Sequence, residues 1–167
     1  MRKRQPSKLL TLNEIHQGHL LEMPDKKYFM IGKEAIPKVQ VYGCVIEKRD
    51  ISPPDKRRFI TIQIDDGTDT IGLTVWSYPK NEYGDPITML EDVEVGDIVD
   101  VIGRVRDFND EFFINPQAVT KKTDGVIWEI YRRTQILKQK MEHSSLQSEE
   151  ILDFSKSTHE HKSGSVD

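Results

Sequence analysis

The sequence is poor in cysteine and in long apolar runs, and each shortage excludes a class of protein. The single cysteine, Cys44, cannot form a disulfide within the chain or supply a cysteine-based zinc site, which fits a reducing intracellular compartment. No apolar run approaches the roughly 18 residues of a membrane span. The basic start MRKRQPSK has no apolar segment behind it and is therefore not predicted to be a secretory signal.

Strong positive charge is also missing. The net charge is −4 at pH 7, which is not typical of a generic nucleic-acid binder. Residues 1–8 carry four cations and no acid, whereas residues 143–167 carry five carboxylates against two lysines. Any nucleic-acid contact must therefore depend on a local cationic patch. With 36% hydrophobic and 31% charged residues, the chain is expected to form one domain with polar tails.

The clearest pattern that is present lies in residues 59–76, FITIQIDDGTDTIGLTVW. Aliphatic residues alternate there with polar and aromatic residues on both sides of a short Asp/Gly turn, which predicts a β-hairpin. One face of the hairpin is purely aliphatic. The other face, which a soluble domain would not expose at random, is predicted to be the working surface. That face carries Phe59, Thr61, Gln63, Thr74 and Trp76.

Three more strands are expected around this hairpin. Residues 39–47 form a long first strand, in which Gly43 indicates a bulge or sharp bend that lets one strand serve two sheets. Residues 98–105 and 112–120 form the fourth and fifth strands, after a long connection between the third and the fourth. This order predicts an all-β fold, a five-stranded Greek-key OB-fold barrel in residues 36–123. An SH3-like barrel would also have five strands but lacks the long connection.

The two flanks of the barrel are expected to differ. Residues 1–35 are interpreted as a partly ordered N-terminal arm, and residues 143–167 as a disordered tail. Residues 124–142 are predicted to form a helix whose apolar side chains recur at heptad spacing. Such a narrow seam is typical of an oligomerisation helix, although the helix could instead fold back onto its own barrel. The predicted partner interface consists of Ile127, Trp128, Ile130, Tyr131, Thr134, Leu137 and Met141.

Groups that could carry out catalysis are few. The acidic cluster of Asp65, Asp66 and Asp69 could bind Mg²⁺, but it lies in a hairpin turn, where Asp is favoured because it hydrogen-bonds the local backbone. Cys44 has no histidine nearby in the sequence and is predicted to be buried and inert. The five histidines all lie outside the predicted barrel. We therefore expect no enzyme, no metal site and no cofactor.

The residues of the predicted barrel favour binding over catalysis. OB-folds hold single-stranded nucleic acid across strands two and three, between the loops that join strands one to two and four to five. An aromatic side chain stacked on a base contributes about 1–3 kcal/mol whatever the base. The candidate DNA-binding residues are Phe59, Thr74, Trp76 and Phe108, with Lys48, Arg49, Arg58, Arg104 and Arg106 as phosphate contacts. Alternatively, Trp76 and Phe108 close the barrel mouth against an arm or a partner.

Four runs of the sequence resemble a known family. VQVYGCVIEKRD, FITIQIDDGTDTIGLTVW, VGDIVDVIGRVRDF and FFINPQAV, followed by the helix, resemble the middle subunit of replication protein A and the related OB-fold subunit of the telomeric CST complex. The resemblance covers about residues 36–142. It implies a single-stranded-DNA-binding heterotrimer, assembled with a large and a small OB-fold subunit through the C-terminal helices. It also implies that Trp76 and Phe108 touch DNA.

The sequence therefore predicts a non-catalytic, single-stranded-DNA-binding subunit that acts in DNA replication, recombination and repair. The 25 residues of the polar tail are too few for the winged-helix domain that known middle subunits often carry, and a short basic arm replaces their serine-rich N-terminus. The chain thus resembles a minimal, archaeal-type subunit. Its expected location is intracellular, in the cytoplasm or nucleoid of an archaeon or the nucleus of a eukaryote. Two alternatives stay open: a structural assembly subunit with little DNA contact, and an RNA-binding OB module.

Overall fold

The computed structural model describes residues 5–160, without the side chains of residues 127 and 154–160. The chain divides into two units, of which the first ends at Glu129 and the second begins at Ile130. The elements are, in order, β1 (Lys8–Leu9), α1 (Leu12–His16), β2 (His19–Glu22), β3 (Lys27–Ile31), β4 (Glu34–Ala35), β5 (Val39–Ile51), β6 (Phe59–Asp65), β7 (Thr70–Trp76), α2 (Thr88–Glu91), β8 (Ile98–Phe108), β9 (Glu111–Lys122) and α3 (Gly125–Glu160).

Strands β5 to β9 close a barrel. β6 and β7 form the predicted antiparallel hairpin, and β7 runs parallel to β9, with Gly72 opposite Phe113. β8 and β9 pair along almost their whole length, and β5 pairs with both β6 and β8, which closes the ring. The predicted five-stranded barrel is therefore confirmed. The long connection between β7 and β8 contains one helical turn, α2.

The double pairing of β5 depends on a bend in the strand. Gly43 lies where an added Cβ would come within 2.9 Å of the Asp65 carbonyl oxygen, so β6 approaches too closely for a side chain. The register shift itself falls between Val45 and Glu47, just after the predicted position. Because one extra residue reverses which way side chains point, Lys48 comes opposite the inward-facing Ile62.

The aliphatic face of the hairpin forms the centre of the barrel core. Its side chains are at most 2% exposed, as the alternation predicts. Burying each of them contributes about 1.5–3 kcal/mol relative to leaving it in water. The members from β6 and β7 are Ile60, Ile62, Ile64, Ile71, Leu73 and Val75.

The N-terminal segment differs from the arm that the sequence predicted. Leu12 and Ile15 on α1 are fully buried in the barrel core, and Phe29 on β3 is 5% exposed. Thr11 caps α1 and forms a reciprocal capping box with Glu14. β2, β3 and β4 form a small antiparallel sheet, and β1 pairs in parallel with β5. The described part of residues 1–35 therefore belongs to the same unit as the barrel.

The second unit is the greater part of α3, which extends well beyond the predicted end at residue 142. The polar composition of residues 143–160 suggested disorder, but these residues contain no proline or glycine, and their Ser145 and Ser148 hydroxyls bond carbonyls four residues back. Residues 161–167 of the predicted tail lie outside the described residues. No helix in the described part of the chain is both long and apolar enough to cross a membrane.

Candidate nucleic-acid interface

Three aromatic side chains form a row on the outer face of the barrel, which we call the aromatic stripe. Phe59 on β6 and Trp76 on β7 are directly opposite each other, with ring centroids 6.4 Å apart. Phe113 on β9 meets the Trp76 ring edge to face, at 5.8 Å. All three side chains are partly exposed. The row Phe59, Trp76 and Phe113 therefore crosses three neighbouring strands without interruption.

Phe113 is the member that the sequence analysis missed. It reaches the stripe because β9 pairs in parallel with β7, and this contact between distant segments leaves no local pattern. The Phe112–Phe113 pair gave one partial signal, since adjacent strand residues face opposite sides and only one of the two can face the core. Phe112 is that residue, and it packs against Phe29 with centroids 5.8 Å apart.

Polar side chains make the floor beside the stripe. The Thr61 and Thr74 hydroxyls hydrogen-bond each other at 3.1 Å across β6 and β7. Asn115 Nδ2 donates to the Thr74 carbonyl oxygen at 3.1 Å, which ties β9 to the same floor. A methyl group added at Gly72 would lie 3.3 Å from Gln63 Nε2, so the glycine leaves room for the glutamine to lie flat. The predicted residue Thr74 thus stabilises the floor.

Phe108 stands at the tip of the β8–β9 hairpin and is 71% exposed. Asn109 and Asp110 form the two-residue turn with φ angles of 50° and 63°, the geometry of a type I′ turn. Phe108 shares one face of β8 with Arg104 and Arg106, which lie four and two residues before it, and Arg106 lies opposite Phe113. The side chain therefore projects from a tight turn on the same face as the aromatic stripe.

Three of the predicted phosphate contacts are already paired with protein groups. Arg58 makes two hydrogen bonds to Asp50, at 2.9 and 2.6 Å, and one to Glu91 at 3.0 Å. Lys48 donates to the Glu91 carbonyl oxygen at 2.7 Å, and Arg49 donates to Glu47 at 2.5 Å. Hydrogen bonding from Arg58 lowers the pKa of Asp50, and its bond to Asp50 raises the pKa of the guanidinium. A phosphate would have to compete with these carboxylates.

Lys48 also lies on the other side of the strand from the stripe. The register shift after Val45 places it opposite Ile62, and its side chain is only 15% exposed as it reaches the end of α2. Arg49 comes opposite Thr61 and shares the outer face. The sequence could not show this difference, because it depends on where the extra residue of the bulge falls.

The remaining predicted cations are placed differently. Arg104 and Arg106 are exposed on β8, opposite Asn115 and Phe113, and neither pairs with a carboxylate within residues 5–160. Arg57 was not among the predicted phosphate contacts, and its guanidinium lies 4.2 Å above the Tyr78 ring. On β8, this face therefore carries two exposed arginines that no carboxylate within residues 5–160 neutralises.

A cleft of about 550 Å³ lies at the end of the barrel where β7 leaves the hairpin. Asp85 orders this region by accepting hydrogen bonds from Ser77 Oγ at 2.5 Å, from the Tyr78 N–H at 2.7 Å and from the Ile87 N–H at 3.3 Å. Burial raises the pKa of Asp85, but these hydrogen bonds outweigh it and the net shift is downward. The cleft is lined by Arg57, Arg58, Ser77, Tyr78, Pro79, Lys80 and Asn81.

The acidic hairpin turn serves the fold. Asp65 accepts a hydrogen bond from the Gly67 N–H at 2.6 Å, and Asp69 accepts one from the Thr70 N–H at 2.7 Å. Asp66 is 7% exposed and bonds the backbone of its own turn and of α1. Across the described residues, no group of three or more His, Cys, Asp or Glu side chains is placed to hold a metal ion.

The predicted partner interface lies on α3. Ile130, Leu137 and Met141 are 63%, 62% and 71% exposed, and Tyr131 is 48% exposed. The Thr134 hydroxyl bonds the Ile130 carbonyl oxygen within the helix. Trp128 belongs to the first unit, where Lys122 Nζ lies 4.2 Å above its ring, and the side chain of Ile127 is outside the described residues. Further exposed apolar residues follow at Leu146, Ile151 and Leu152.

Comparison with known proteins identifies the barrel. A family model described as an OB-fold nucleic acid binding domain matches residues 39–122. A crystal structure of the S. pombe Stn1-ten1 complex contains a chain with 13% identity and a TM-score of 0.68, covering 87% of this chain and 99% of that one. A chain in the structure of a replication protein A heterotrimer bound to ssDNA has 12% identity and a TM-score of 0.61, covering 83% of this chain and 98% of that one.

A third structure, yeast RPA bound to ssDNA, gives 19% identity and a TM-score of 0.51, with coverages of 83% and 92%. Comparison with curated protein sequences finds no match. These structural neighbours agree with the resemblance drawn from the sequence, and at such identities the likeness shows a shared fold.

Proposed function

Since this chain belongs to the family of OB-fold nucleic acid binding domains, we propose that it is a non-catalytic subunit that binds single-stranded DNA. The observation that carries this proposal is the aromatic stripe of Phe59, Trp76 and Phe113 on the outer face of β6, β7 and β9. Bases that stack on aromatic rings contribute about 1–3 kcal/mol each and need no particular sequence. A row of three rings suits binding that protects DNA without selecting its sequence.

The distribution of positive charge also supports binding of single-stranded DNA on this face of the barrel. Arg104 and Arg106 lie on the face that carries Phe113, at the edge of the stripe. Because the protein as a whole carries a net charge of −4, long-range attraction is weak and phosphate binding depends on such local cations. The bases would lie on the aromatic stripe and the phosphates on the side of β8. The single-stranded DNA would then cross the barrel between Arg57 and Phe108.

The proposed setting is a heterotrimer like replication protein A that acts in DNA replication, recombination and repair. α3 would join the chain to the large and small OB-fold subunits through its exposed apolar residues. Ile130, Leu137 and Met141 support this assignment because heptad-spaced apolar residues on one helix are typical of helix–helix association. The structural neighbours support it to the extent that they are subunits of complexes.

A direct test uses tryptophan fluorescence. The chain has two tryptophans, so Trp128→Phe leaves Trp76 as the only reporter. Addition of oligo-dT should quench this fluorescence in a saturable manner, because a stacked base lies against the indole ring. Trp76→Phe, which leaves Trp128 as the only reporter, is the matched control and should show little change. Equal quenching of both variants, or of neither, would contradict contact between the stripe and DNA.

One observation favours a second candidate function, a structural assembly subunit with little DNA contact. Three of the five predicted phosphate contacts, Lys48, Arg49 and Arg58, are bonded to protein oxygens instead. If that function is correct, the chain should join its partner subunits without any quenching by oligo-dT. Tighter binding of oligo-U than of oligo-dT would instead indicate the RNA-binding alternative.

A further inference from the structure

A groove of about 480 Å³ opens between the small N-terminal sheet and β8, within the first unit. Lys26, Lys27 and Tyr28 line one wall, and Arg104 and Arg106 line the other. The described lining thus contains four cations and no carboxylate. Such a concentration is unexpected in a protein with more acids than bases, and concave walls of one charge focus the local potential.

Three of these cations lack a carboxylate partner among the described residues. Lys27 pairs with Asp107 at 3.2 Å, whereas Lys26, Arg104 and Arg106 form no ion pair within residues 5–160. Lys26 Nζ instead lies 4.7 Å above the Tyr28 ring. Other cations of the same unit, such as Lys8 and Arg58, are paired with acids. The groove therefore offers positive charge that the protein does not itself neutralise.

The groove continues the aromatic stripe. Arg106 is directly opposite Phe113 on the β8–β9 ladder, and Arg104 is opposite Asn115. Side chains opposite each other in an antiparallel pair project from the same face with Cβ atoms about 4.5–5.5 Å apart. Phe113 in turn contacts Trp76, so one surface runs from the stripe over β9 to the two arginines and into the groove.

We propose that this groove holds the phosphodiester backbone of the single strand after it has left the aromatic stripe. Arg104, Arg106 and Lys26 bind phosphate oxygens, and Tyr28 supplies an additional ring beside them. The N-terminal sheet, which the sequence analysis treated as part of a separate arm, thereby becomes the second wall of the binding site. This inference rests on the proposed function and extends the binding site beyond the barrel face. The surface continuous with a base-stacking stripe favours a nucleic acid over an acidic peptide.

The test compares a short and a long oligo-dT, of about 8 and about 20 nucleotides, by fluorescence anisotropy at several salt concentrations. Each phosphate contact on a single strand contributes about 0.7 to the slope of log affinity against log salt. Lys26→Gln should therefore make that negative slope shallower by about 0.7 for the long oligonucleotide and leave the slope for the short one unchanged. Lys33→Gln is the matched control, because Lys33 is an exposed lysine in the turn between β3 and β4 and does not line the groove, and it should change neither slope.

Failure of this inference can be told apart from failure of the proposed function. If Lys26→Gln and Lys33→Gln behave alike with the long oligonucleotide, the groove does not hold the strand. If Lys26→Gln weakens the binding of the short and the long oligonucleotide equally, the groove does not hold a separate part of the longer strand either. Displacement of the long oligonucleotide by an equal concentration of poly-glutamate would assign the groove to acidic peptides and overturn the proposal. Only the absence of binding of both oligonucleotides to the wild-type chain overturns the proposed function as well.

Discussion

The carboxylate of Asp66 accepts a hydrogen bond of 2.9 Å from the backbone N–H of Leu12. This bond joins the β6–β7 turn to the first turn of α1, whose apolar side chains are buried in the barrel core. Asp66 also accepts hydrogen bonds from the Thr68 N–H and hydroxyl and from the Asp69 N–H. One nearly buried side chain therefore holds the hairpin turn and the N-terminal segment together.

Replacement of Asp66 should destabilise the first unit markedly. Asp66→Ala leaves the buried Leu12 N–H and three partly buried donors without their acceptor. We therefore expect a loss of about 2–3 kcal/mol in the free energy of unfolding, measured by urea denaturation. Asp65→Ala is the control, because within residues 5–160 the Asp65 side chain bonds only the Gly67 N–H of its own turn, and its loss should cost less than about 1 kcal/mol. Equal effects of the two substitutions would contradict a link between the turn and α1.

Acid stability should depend on the ion pair of Arg58 and Asp50. Hydrogen bonding from Arg58 lowers the pKa of Asp50 in the folded state, so the pair stabilises the fold above the unfolded pKa of about 4. That stabilisation is lost as the pH falls through the lower pKa of the folded state. Asp50→Asn should therefore lower the melting temperature at neutral pH, and its difference from wild type should shrink in acid.

Thermal unfolding between about pH 7 and about pH 3 measures this difference. Asp55→Asn in the loop between β5 and β6 serves as the matched control, and it should follow the wild type at every pH. A melting-temperature difference for Asp50→Asn that stays constant as the pH falls would show that the pair contributes nothing that depends on the charge of Asp50.

Two arginines on β8 should account for part of the salt dependence of DNA binding. Replacement of both Arg104 and Arg106 by Gln should make the negative slope of log affinity against log salt shallower by about 1.4, since each phosphate contact contributes about 0.7. Arg58→Gln should leave the slope nearly unchanged, because Arg58 is bound to Asp50 and Glu91. A larger loss of slope with Arg58→Gln than with the double variant would place the phosphates on the opposite side of the stripe.

The exposed apolar residues of α3 should be needed for assembly. Leu137→Glu places a charge in the predicted seam, so we expect loss of co-purification with the partner OB-fold subunits and no loss of the barrel's thermal stability. Lys138→Glu is the control, because it changes the charge of the neighbouring exposed position by a larger amount. Retention of a stoichiometric complex by Leu137→Glu would contradict the assignment of this helix face.

Local alternation, together with the long connection after the third strand, predicted the barrel. Ile60, Ile62 and Ile64 alternate with polar residues in one short strand, and burial of one face follows directly from a period of two. Leu12 and Ile15 gave no such signal, because a helix of five residues offers a single turn of periodicity. Their burial depends on contacts with distant strands, which a local pattern does not contain.

The site was harder to predict than the fold for the same reason. Trp76 belongs to the hairpin itself, so its face could be predicted from alternation, whereas Phe113 joins it through a parallel pairing between distant strands. Lys48 was predicted to face phosphates, but the extra residue of the bulge turns it towards α2. The end of α3 was placed too early because polar composition was taken as a sign of disorder.

Stacking of bases on the aromatic stripe can be measured through the affinity of the Trp76→Ala and Phe113→Ala variants for fluorescein-labelled oligo-dT. Each lost stacking contact of about 1–3 kcal/mol corresponds to a loss of roughly 5- to 150-fold in affinity. Tyr83→Ala, at an aromatic residue that is 89% exposed in the connection after β7, is the control and should bind as wild type does. If a folded variant that lacks both the Trp76 and the Phe113 rings keeps wild-type affinity, bases do not stack on the stripe.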